Sequence, residues 1–257
     1  MKTKLQLLFF LFFIIHYFPN TSEASEKTGS PTIDSLITDM YDSYGVTIEV
    51  VNPSSTSWST SVISFDPLSE NDYAELEKYV HLFRSEFFKY PKKFIINTNL
   101  KKVVFVKNLI NQSVSVAAMP DYYKENLYMD IFVGNYDKTY QRHVVHHEFY
   151  HMIEEQFNGN AYYKDPIWAK MNDPSFQYGN GGINARSSDL EPVNHPQQGF
   201  ISGYSMSGLE EDKAEIYAGL MTTEEKDKLR KWAKSDKILA AKIFYLSAFL
   251  KDYGLVL

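Results

Sequence analysis

The chain has 257 residues, 44% of them hydrophobic and 23% charged, a balance typical of a globular domain and not of a disordered or multi-span membrane protein. Its 26 basic and 32 acidic residues give a net charge of −6 without a basic stripe, which excludes nucleic acid as an expected partner. Cysteine is absent, so disulfides, a cysteine nucleophile and a lipid-modified amino-terminal cysteine are excluded, and any metal must be bound by His, Asp or Glu.

Residues 1–24 have the pattern of a cleavable secretory signal peptide. A basic start precedes an apolar run at 5–18, and the small residues Ser22 and Ala24 occupy the positions that a signal peptidase reads. The run is shorter than the ~20 residues that span a bilayer, which disfavours the alternative of an uncleaved anchor. We therefore expect 25–257 to be secreted, extracellular or periplasmic, without stable membrane insertion after cleavage.

Strands and helices alternate in the first half of the mature sequence. Apolar residues at helical spacing predict helices, and segments rich in β-branched residues predict strands. In chain order these are a helix over 31–44, a strand over 46–51, a helix between Ser69 and Pro91, a strand over 93–106, and a hairpin whose strands, 113–119 and 126–133, flank a turn at Pro120-Asp121.

Helices dominate the second half. A long helix over 137–157 ends at Asn158-Gly159, and a loop rich in Asn, Gly, Pro and aromatic residues follows it. Further helices are predicted over 208–221, after a capping box formed by Thr222 and Glu225, and along a leucine stripe that ends at Leu250. The elements predict an α+β fold: a small mixed β-sheet and a long helix in an N-terminal lobe, about 31–158, and a mainly helical C-terminal lobe, about 159–257, in a single domain over 25–257.

The segment His147-Glu148-Phe149-Tyr150-His151 lies in the middle of the predicted long helix. The i, i+4 spacing places the two imidazoles on one helix face about 6 Å apart, where both can bind one metal ion. Glu148 projects from the flank of the same turn, where its carboxylate can take a proton from a metal-bound water. The alternative, that both histidines merely pack in a core, leaves their alignment with an acid unexplained. This pattern predicts a zinc peptidase centre.

Catalytic zinc has three protein ligands and one water, so a third ligand is expected elsewhere in the chain. The metzincin pattern is excluded because Glu154 and Phe157 occupy the positions of its glycine and third histidine. An acidic segment at 210–215 opens a predicted helix, and Glu211 and Glu215 share one face of it. One carboxylate could bind the metal while the other supports a ligand histidine.

Two alternatives stay open for this acidic segment. It could be a solvated helix N-terminus, where acidic residues interact favourably with the helix dipole. Glu210 could also replace Glu211 as the ligand, although only Glu211 pairs with Glu215 on a shared helix face.

The helix motif and the segment Tyr204-Ser-Met-Ser-Gly-Leu-Glu-Glu211-Asp-Lys-Ala-Glu215 together resemble secreted bacterial gluzincins of the anthrax lethal factor and Pro-Pro endopeptidase type. They also resemble zinc-binding metallopeptidases of other bacteria. The resemblance covers roughly 143–221 and implies a zincin-like fold. It implies Glu211 as the third zinc ligand, Glu215 as its companion, and Tyr204 as the tyrosine that contacts the reacting carbonyl. Asp212-Lys213 departs from the aromatic pair often found there.

The function expected from these features is that of a secreted zinc-dependent endopeptidase. One Zn²⁺ per chain would be bound by His147, His151 and Glu211, with Glu148 as general base and then general acid, and Tyr204 would stabilise the oxyanion. The partner would be a protein or peptide substrate, and the chain would act as a monomer. The alternatives are a non-catalytic secreted binding module and a zinc hydrolase that acts on a non-peptide bond.

Two further expectations concern the surroundings of the site. An extended substrate would lie along an edge strand, for which 113–119 is the candidate, although it could instead be an interior strand. His195, in the long loop, is expected at the surface. It could otherwise donate a hydrogen bond to the oxyanion or replace the glutamate ligand.

Overall fold

A computed structural model describes residues 27–53, 55, 62–185 and 193–257. The predicted signal peptide, 1–24, lies outside these residues. Within the described ranges the chain forms eight α-helices and six strands in a mixed sheet, which confirms the predicted α+β class. No helix in the described part of the chain combines the length and apolarity needed to cross a membrane.

The sheet is built around one long central strand, β3 (Lys102–Asn111). Its first half pairs in parallel with β1 (Thr47–Val50) and β6 (Asn126–Asp130), and β5 (Ala118–Asp121) pairs antiparallel with β6 at the edge of this path. Two short strands, β2 (Ile63–Asp66) and β4 (Val114–Ser115), pair antiparallel with the second half of β3.

The helices pack on this sheet and on each other. Their bounds are α1 (Pro31–Tyr44), α2 (Tyr73–Phe87), α3 (Lys92–Asn97), α4 (Lys138–Asn158), α5 (Pro166–Met171), α6 (Leu209–Met221), α7 (Thr223–Trp232) and α8 (Lys237–Asp252). The long helix α4 begins where Asp137 accepts backbone hydrogen bonds from Thr139 and Tyr140, and it ends at Gly159, whose φ of 70° is unfavourable for other residues. Helix α4 packs against β5 and β6 on one side and against α6 on another.

Aromatic side chains join α2, β3 and α4 in the core. The ring of Phe83 lies 5.4 Å from that of Phe105 on β3, and the ring of Phe87 lies 5.1 Å from that of Phe149 on α4. These rings are fully buried, and such aromatic pairs add to the stabilisation from burial itself. The core therefore fixes α4, and with it the histidine motif, against the sheet.

Three predictions about strands and their turn were wrong. Residues 93–97 belong to α3 and not to a strand, because Pro91 sets a helix start and Phe94 and Ile95 are buried as helical neighbours. The segment 113–119 is divided between β4 and β5. The turn of the β5–β6 hairpin follows Asp121, whose Oδ1 accepts a hydrogen bond from the Lys124 amide, while Pro120 lies on the edge strand, where a missing amide donor is tolerated.

The predicted capping box at the start of α7 does not form. Thr222 is at the N-cap, but its side chain makes no capping hydrogen bond, and Glu225 contacts a histidine of α4. The Glu225 carboxylate, which the local pattern assigned to the helix start, therefore makes a tertiary contact instead. The division of the chain into lobes near residue 158 stays a prediction.

Candidate metal centre and active site

Helix α4 presents His147 and His151 on the face that meets α6. Both rings are buried, and Glu211 reaches them from the first turn of α6. Nε2 of His147 lies 3.0 Å from Oε2 of Glu211 and 3.3 Å from Nε2 of His151, and the His151 nitrogen lies 3.5 Å from the same oxygen. The sequence-based ligand set is thus brought together from two helices.

The spacing of these three atoms fits a zinc ion. In a tetrahedral site with metal–ligand distances of about 2.0–2.1 Å, two ligand atoms lie about 3.3–3.4 Å apart. The observed separations of 3.0, 3.3 and 3.5 Å bracket that value. Two imidazole nitrogens and one carboxylate oxygen are also a donor set found in catalytic zinc sites.

Glu211 and Glu210 occupy different environments. Oε1 of Glu211 accepts a hydrogen bond from the Gly182 amide at 2.9 Å, which orients Oε2 towards the histidines. The Glu210 carboxylate lies instead over Gly208, where an added Cβ would meet its Oε1 at 2.8 Å. Among the described residues, Glu211 belongs to a cluster with metal-binding spacing and Glu210 does not.

Glu215 lies one turn further along α6 and contacts the outer nitrogen of a candidate ligand. Its Oε1 lies 2.9 Å from Nδ1 of His147 and 2.8 Å from Nε2 of His143, and its Oε2 accepts a hydrogen bond of 2.6 Å from the Ser202 hydroxyl. With Nδ1 bonded to Glu215, the Nε2 lone pair of His147 is free to face a metal. This geometry suits the supporting function predicted for Glu215.

His143 was missed by the sequence analysis, although its position four residues before His147 was a visible signal. Together with His147 and Glu215 it forms a second cluster with metal-binding spacing. However, its Nδ1 lies 2.6 Å from Oε2 of Glu225, so both ring nitrogens face carboxylates. Burial alone would lower the pKa of His143, but the charges of Glu215 and Glu225 outweigh it and raise that pKa to about 10. A ring protonated at both nitrogens has no lone pair for a metal.

Glu148 lies next to the candidate ligands and contributes no atom to either cluster. Burial raises the pKa of its carboxyl above the ordinary value, and the nearby His147 and His151 reduce that effect without cancelling it. A carboxyl group with a raised pKa is better suited to proton transfer near neutral pH.

Tyr204 lies in a short 3-10 turn, 204–206, that packs against α6. The centre of its ring is 5.7 Å from that of His147. Burial raises the pKa of the phenol well above its usual value, and the negative charges of Glu211 and Glu148 raise it further. The hydroxyl therefore remains protonated and can donate a hydrogen bond beside the candidate metal centre.

The unusual pair that follows Glu211 is buried. Asp212 accepts hydrogen bonds from Trp168 Nε1 at 2.8 Å, from the Tyr178 hydroxyl at 2.6 Å and from Lys242 Nζ at 2.7 Å. Lys213 forms an ion pair with Glu154 of α4. These contacts attach the beginning of α6 to α4, α5 and α8.

His195 lies away from the candidate ligands. Its Nε2 is 2.9 Å from Oδ2 of Asp236, and its ring stacks on Trp232 with the ring centres 5.0 Å apart. It belongs to neither metal-binding cluster found in the described part of the chain. The partly exposed loop position agrees with the expectation of a surface histidine.

Comparison with known proteins identifies a protein family that includes this chain. The sequence model of a family described as putative zinc-binding metallo-peptidase matches residues 71–253, a range that contains both α4 and α6. The chain belongs to this family. For this family member the match supports zinc as the metal and peptidase as the enzyme class, whereas the gluzincin type stays a prediction.

A solved structure of similar fold bears the same description. It is the crystal structure of a putative zinc-binding metallo-peptidase from Bacteroides caccae, with a TM-score of 0.56 and 19% sequence identity over 90% of this chain and 88% of that chain. At this identity the likeness concerns the fold alone. No curated protein significantly matches the sequence of this chain.

Proposed function

We propose that the chain is a zinc-dependent endopeptidase whose zinc ion is bound by His147, His151 and Glu211. The observation that carries this proposal is the convergence of one oxygen and two nitrogens, 3.0–3.5 Å apart, from α4 and α6. Membership of the zinc-binding metallo-peptidase family supports it independently. Bound zinc would supply a Lewis acid that polarises a carbonyl group and lowers the pKa of a water molecule.

The chain's own residues would carry the proton transfers. Glu148 would accept a proton from the attacking water and deliver it to the leaving nitrogen, a sequence that its raised pKa favours. The Tyr204 hydroxyl would donate a hydrogen bond to the carbonyl oxygen as negative charge develops on it. Glu215 would hold the His147 ring through Nδ1, so that Nε2 faces the metal.

A substrate in extended conformation would add to the sheet at β5. This strand pairs with β6 on one side, lies at the end of the sheet path and packs against the helix that carries the histidine motif. Strand addition uses the substrate backbone for affinity, which suits a peptide and not a small ester or amide. The edge strand is therefore 118–121, in place of the longer 113–119 expected from the sequence.

The cellular setting is also a proposal. The apolar run at 5–18 and the small residues before Ser25 support export with cleavage after Ala24. We propose a secreted monomer that acts on proteins or peptides outside the cytoplasm. Amino-terminal sequencing of the protein recovered from the culture medium or periplasm tests the cleavage site. Light scattering tests the oligomeric state.

The deciding experiment is cleavage profiling by mass spectrometry with a diverse peptide mixture and one equivalent of zinc. It compares the purified chain with Glu148→Gln and with Glu224→Gln, a control that removes the same charge at an exposed position. Cleavage by the parent and the control, but not by Glu148→Gln, is expected. If none of the three cleaves a peptide while all bind zinc, the endopeptidase proposal is wrong, and a binding module or a non-peptide hydrolase takes its place.

A further inference from the structure

A line of four buried side chains runs from the candidate zinc ligand His147 to the beginning of α7. Nδ1 of His147 contacts Oε1 of Glu215, the same oxygen contacts Nε2 of His143, and Nδ1 of His143 contacts Oε2 of Glu225. The three distances are 2.9, 2.8 and 2.6 Å. The line thus alternates imidazole and carboxylate across α4, α6 and α7.

The chemistry of this line fixes where its protons lie. A carboxylate that contacts imidazole nitrogens accepts hydrogen bonds, so both nitrogens of His143 carry protons and its ring is cationic. The cation lies between Glu215 and Glu225, which are 6% and 5% exposed, so the charge of each carboxylate is compensated within the protein. Ser202 donates to the remaining oxygen of Glu215, which leaves this carboxylate with donors on both oxygens.

His143 and Glu225 affect the candidate zinc ligand His147 through Glu215. A carboxylate held from three directions cannot rotate away from His147, and its accepting oxygen requires the His147 proton to be on Nδ1. The cation at His143 also shares Oε1 with His147, which limits how strongly Glu215 attracts that proton. The His143–Glu225 pair therefore controls both the orientation of His147 and the electron density on its Nε2.

We propose that His143 and Glu225 are positioning residues for the zinc centre, which act through Glu215 on the ligand His147. This inference rests on the proposed function, since it takes His147 as a ligand. It excludes a second metal ion between His143, His147 and Glu215, because His143 then serves as a hydrogen-bond donor and not as a ligand.

The test compares the mature chain, 25–257, with its Glu225→Gln and Glu224→Gln variants. Both variants lose one acidic charge in the first turn of α7, but Glu224 is 42% exposed and pairs with Arg142, outside the line of contacts. The zinc dissociation constant is measured by competition with a chromophoric chelator, and the ligand field by the visible spectrum of the cobalt(II)-substituted protein. Circular dichroism checks that each variant is folded.

Glu225→Gln is expected to weaken zinc binding about tenfold, the lower end of the effect of removing a group that supports a ligand histidine. It should also shift the cobalt(II) absorption bands, and Glu224→Gln should change neither quantity. Unchanged zinc affinity and cobalt(II) spectrum in a folded Glu225→Gln variant would overturn the inference and leave the proposed function standing. A parent chain that binds no metal would overturn both.

A second measurement does not depend on any variant. Nitrogen-15 NMR of the unmodified metal-free chain at pH 8 should show the His143 ring with protons on both nitrogens, and a neutral ring would overturn the inference. Zinc titration of the parent should end at one ion per chain. A second bound zinc ion that is lost in His143→Gln would identify His143 as a ligand and would also overturn it.

Discussion

The ammonium group of Lys242 lies 2.7 Å from Oδ2 of Asp212, and neither side chain is exposed to solvent. Lys242 also donates to the Gly199 carbonyl at 2.8 Å and lies over the ring of Phe200, 3.9 Å from its centre. Asp212 directly follows Glu211 in α6. A buried ion pair thus connects α8 to the turn of α6 that carries the third candidate zinc ligand.

Removing one member of this pair should destabilise the fold strongly. Lys242→Met leaves the Asp212 carboxylate buried without its cation, and breaking such a pair costs about 3–5 kcal/mol. The free energy of unfolding, measured in urea, should fall by that amount, whereas Lys237→Met at an exposed position of the same helix should change it little. The double variant Lys242→Met with Asp212→Asn should regain part of the loss. Equal stability of the two lysine variants would contradict the structural importance of the pair.

Glu211 and Glu210 should differ sharply in their effect on metal content. Glu211→Ala removes a proposed zinc ligand and should weaken zinc binding by more than the roughly 10–100-fold that loss of a group supporting a ligand costs. Glu210→Ala should retain one zinc per chain after dialysis, because its carboxylate lies over Gly208 and belongs to neither cluster with metal-binding spacing among the described residues. The metal content is measured by inductively coupled plasma mass spectrometry. If only the Glu210 variant lost zinc, Glu210 and not Glu211 would be the third ligand.

Tyr204→Phe should lower turnover without releasing zinc. The lost hydroxyl is the proposed hydrogen-bond donor to the developing oxyanion, and removal of one such donor costs about 10²–10³ in kcat. The values of kcat and zinc content are compared with those of Tyr136→Phe, a change at a tyrosine that is 91% exposed. A Tyr204→Phe variant with full kcat would assign the tyrosine a packing function against His147.

The stability contributed by Glu86 should depend on pH. Burial alone would raise the pKa of Glu86, but hydrogen bonds from His146 and Lys89 outweigh it and lower that pKa to about 2. Because the folded value lies below the unfolded value of about 4.3, the contribution is present above pH ~4.3 and is lost as the pH falls towards 2. The full contribution is on the order of 3 kcal/mol.

The measurement is the difference in unfolding free energy between the parent chain and Glu86→Gln at pH 6 and at pH 3. We expect a smaller difference at pH 3, because the parent has by then lost part of the stabilisation from the ionised Glu86 carboxylate, which the variant lacks at both pH values. Glu70→Gln, at an exposed position, serves as the control. A difference that stays constant between the two pH values would show that Glu86 stabilises the fold by packing and not by its charge.

The sequence predicted the elements that carry the site because their signals are local. The span of α4 followed from Asp137 at its start and Gly159 at its end, and the i, i+4 spacing of His147 and His151 follows from helix geometry alone. The third candidate ligand came from the resemblance of the segment around Glu211 to known gluzincins. The structure adds the separations between these groups, which arise only when α4 packs on α6.

Partners that are distant in sequence could not be predicted in the same way. A solvated helix start was one of the alternatives left open for the acidic segment 210–215, but Asp212 and Lys213 are buried because Lys242 and Glu154 compensate their charges from other helices. Glu225 was predicted to cap the start of α7. Its contact with His143 of α4 is tertiary, so no local pattern in the sequence indicates it. Local propensity also misassigned 93–97, where burial of a helical face outweighed β-branched composition.

The candidate ligands belong to two segments of the chain that are separated by residues 152–210. A zinc ion shared between them would act as a cross-link across this intervening segment, and so it would stabilise the folded state as well as serve the reaction. Removal of the metal should therefore loosen the contact between α4 and α6 before the sheet unfolds. Proteases added to the metal-free chain would be expected to cut first within that segment, so the content of zinc would also determine how long the protein resists proteolysis.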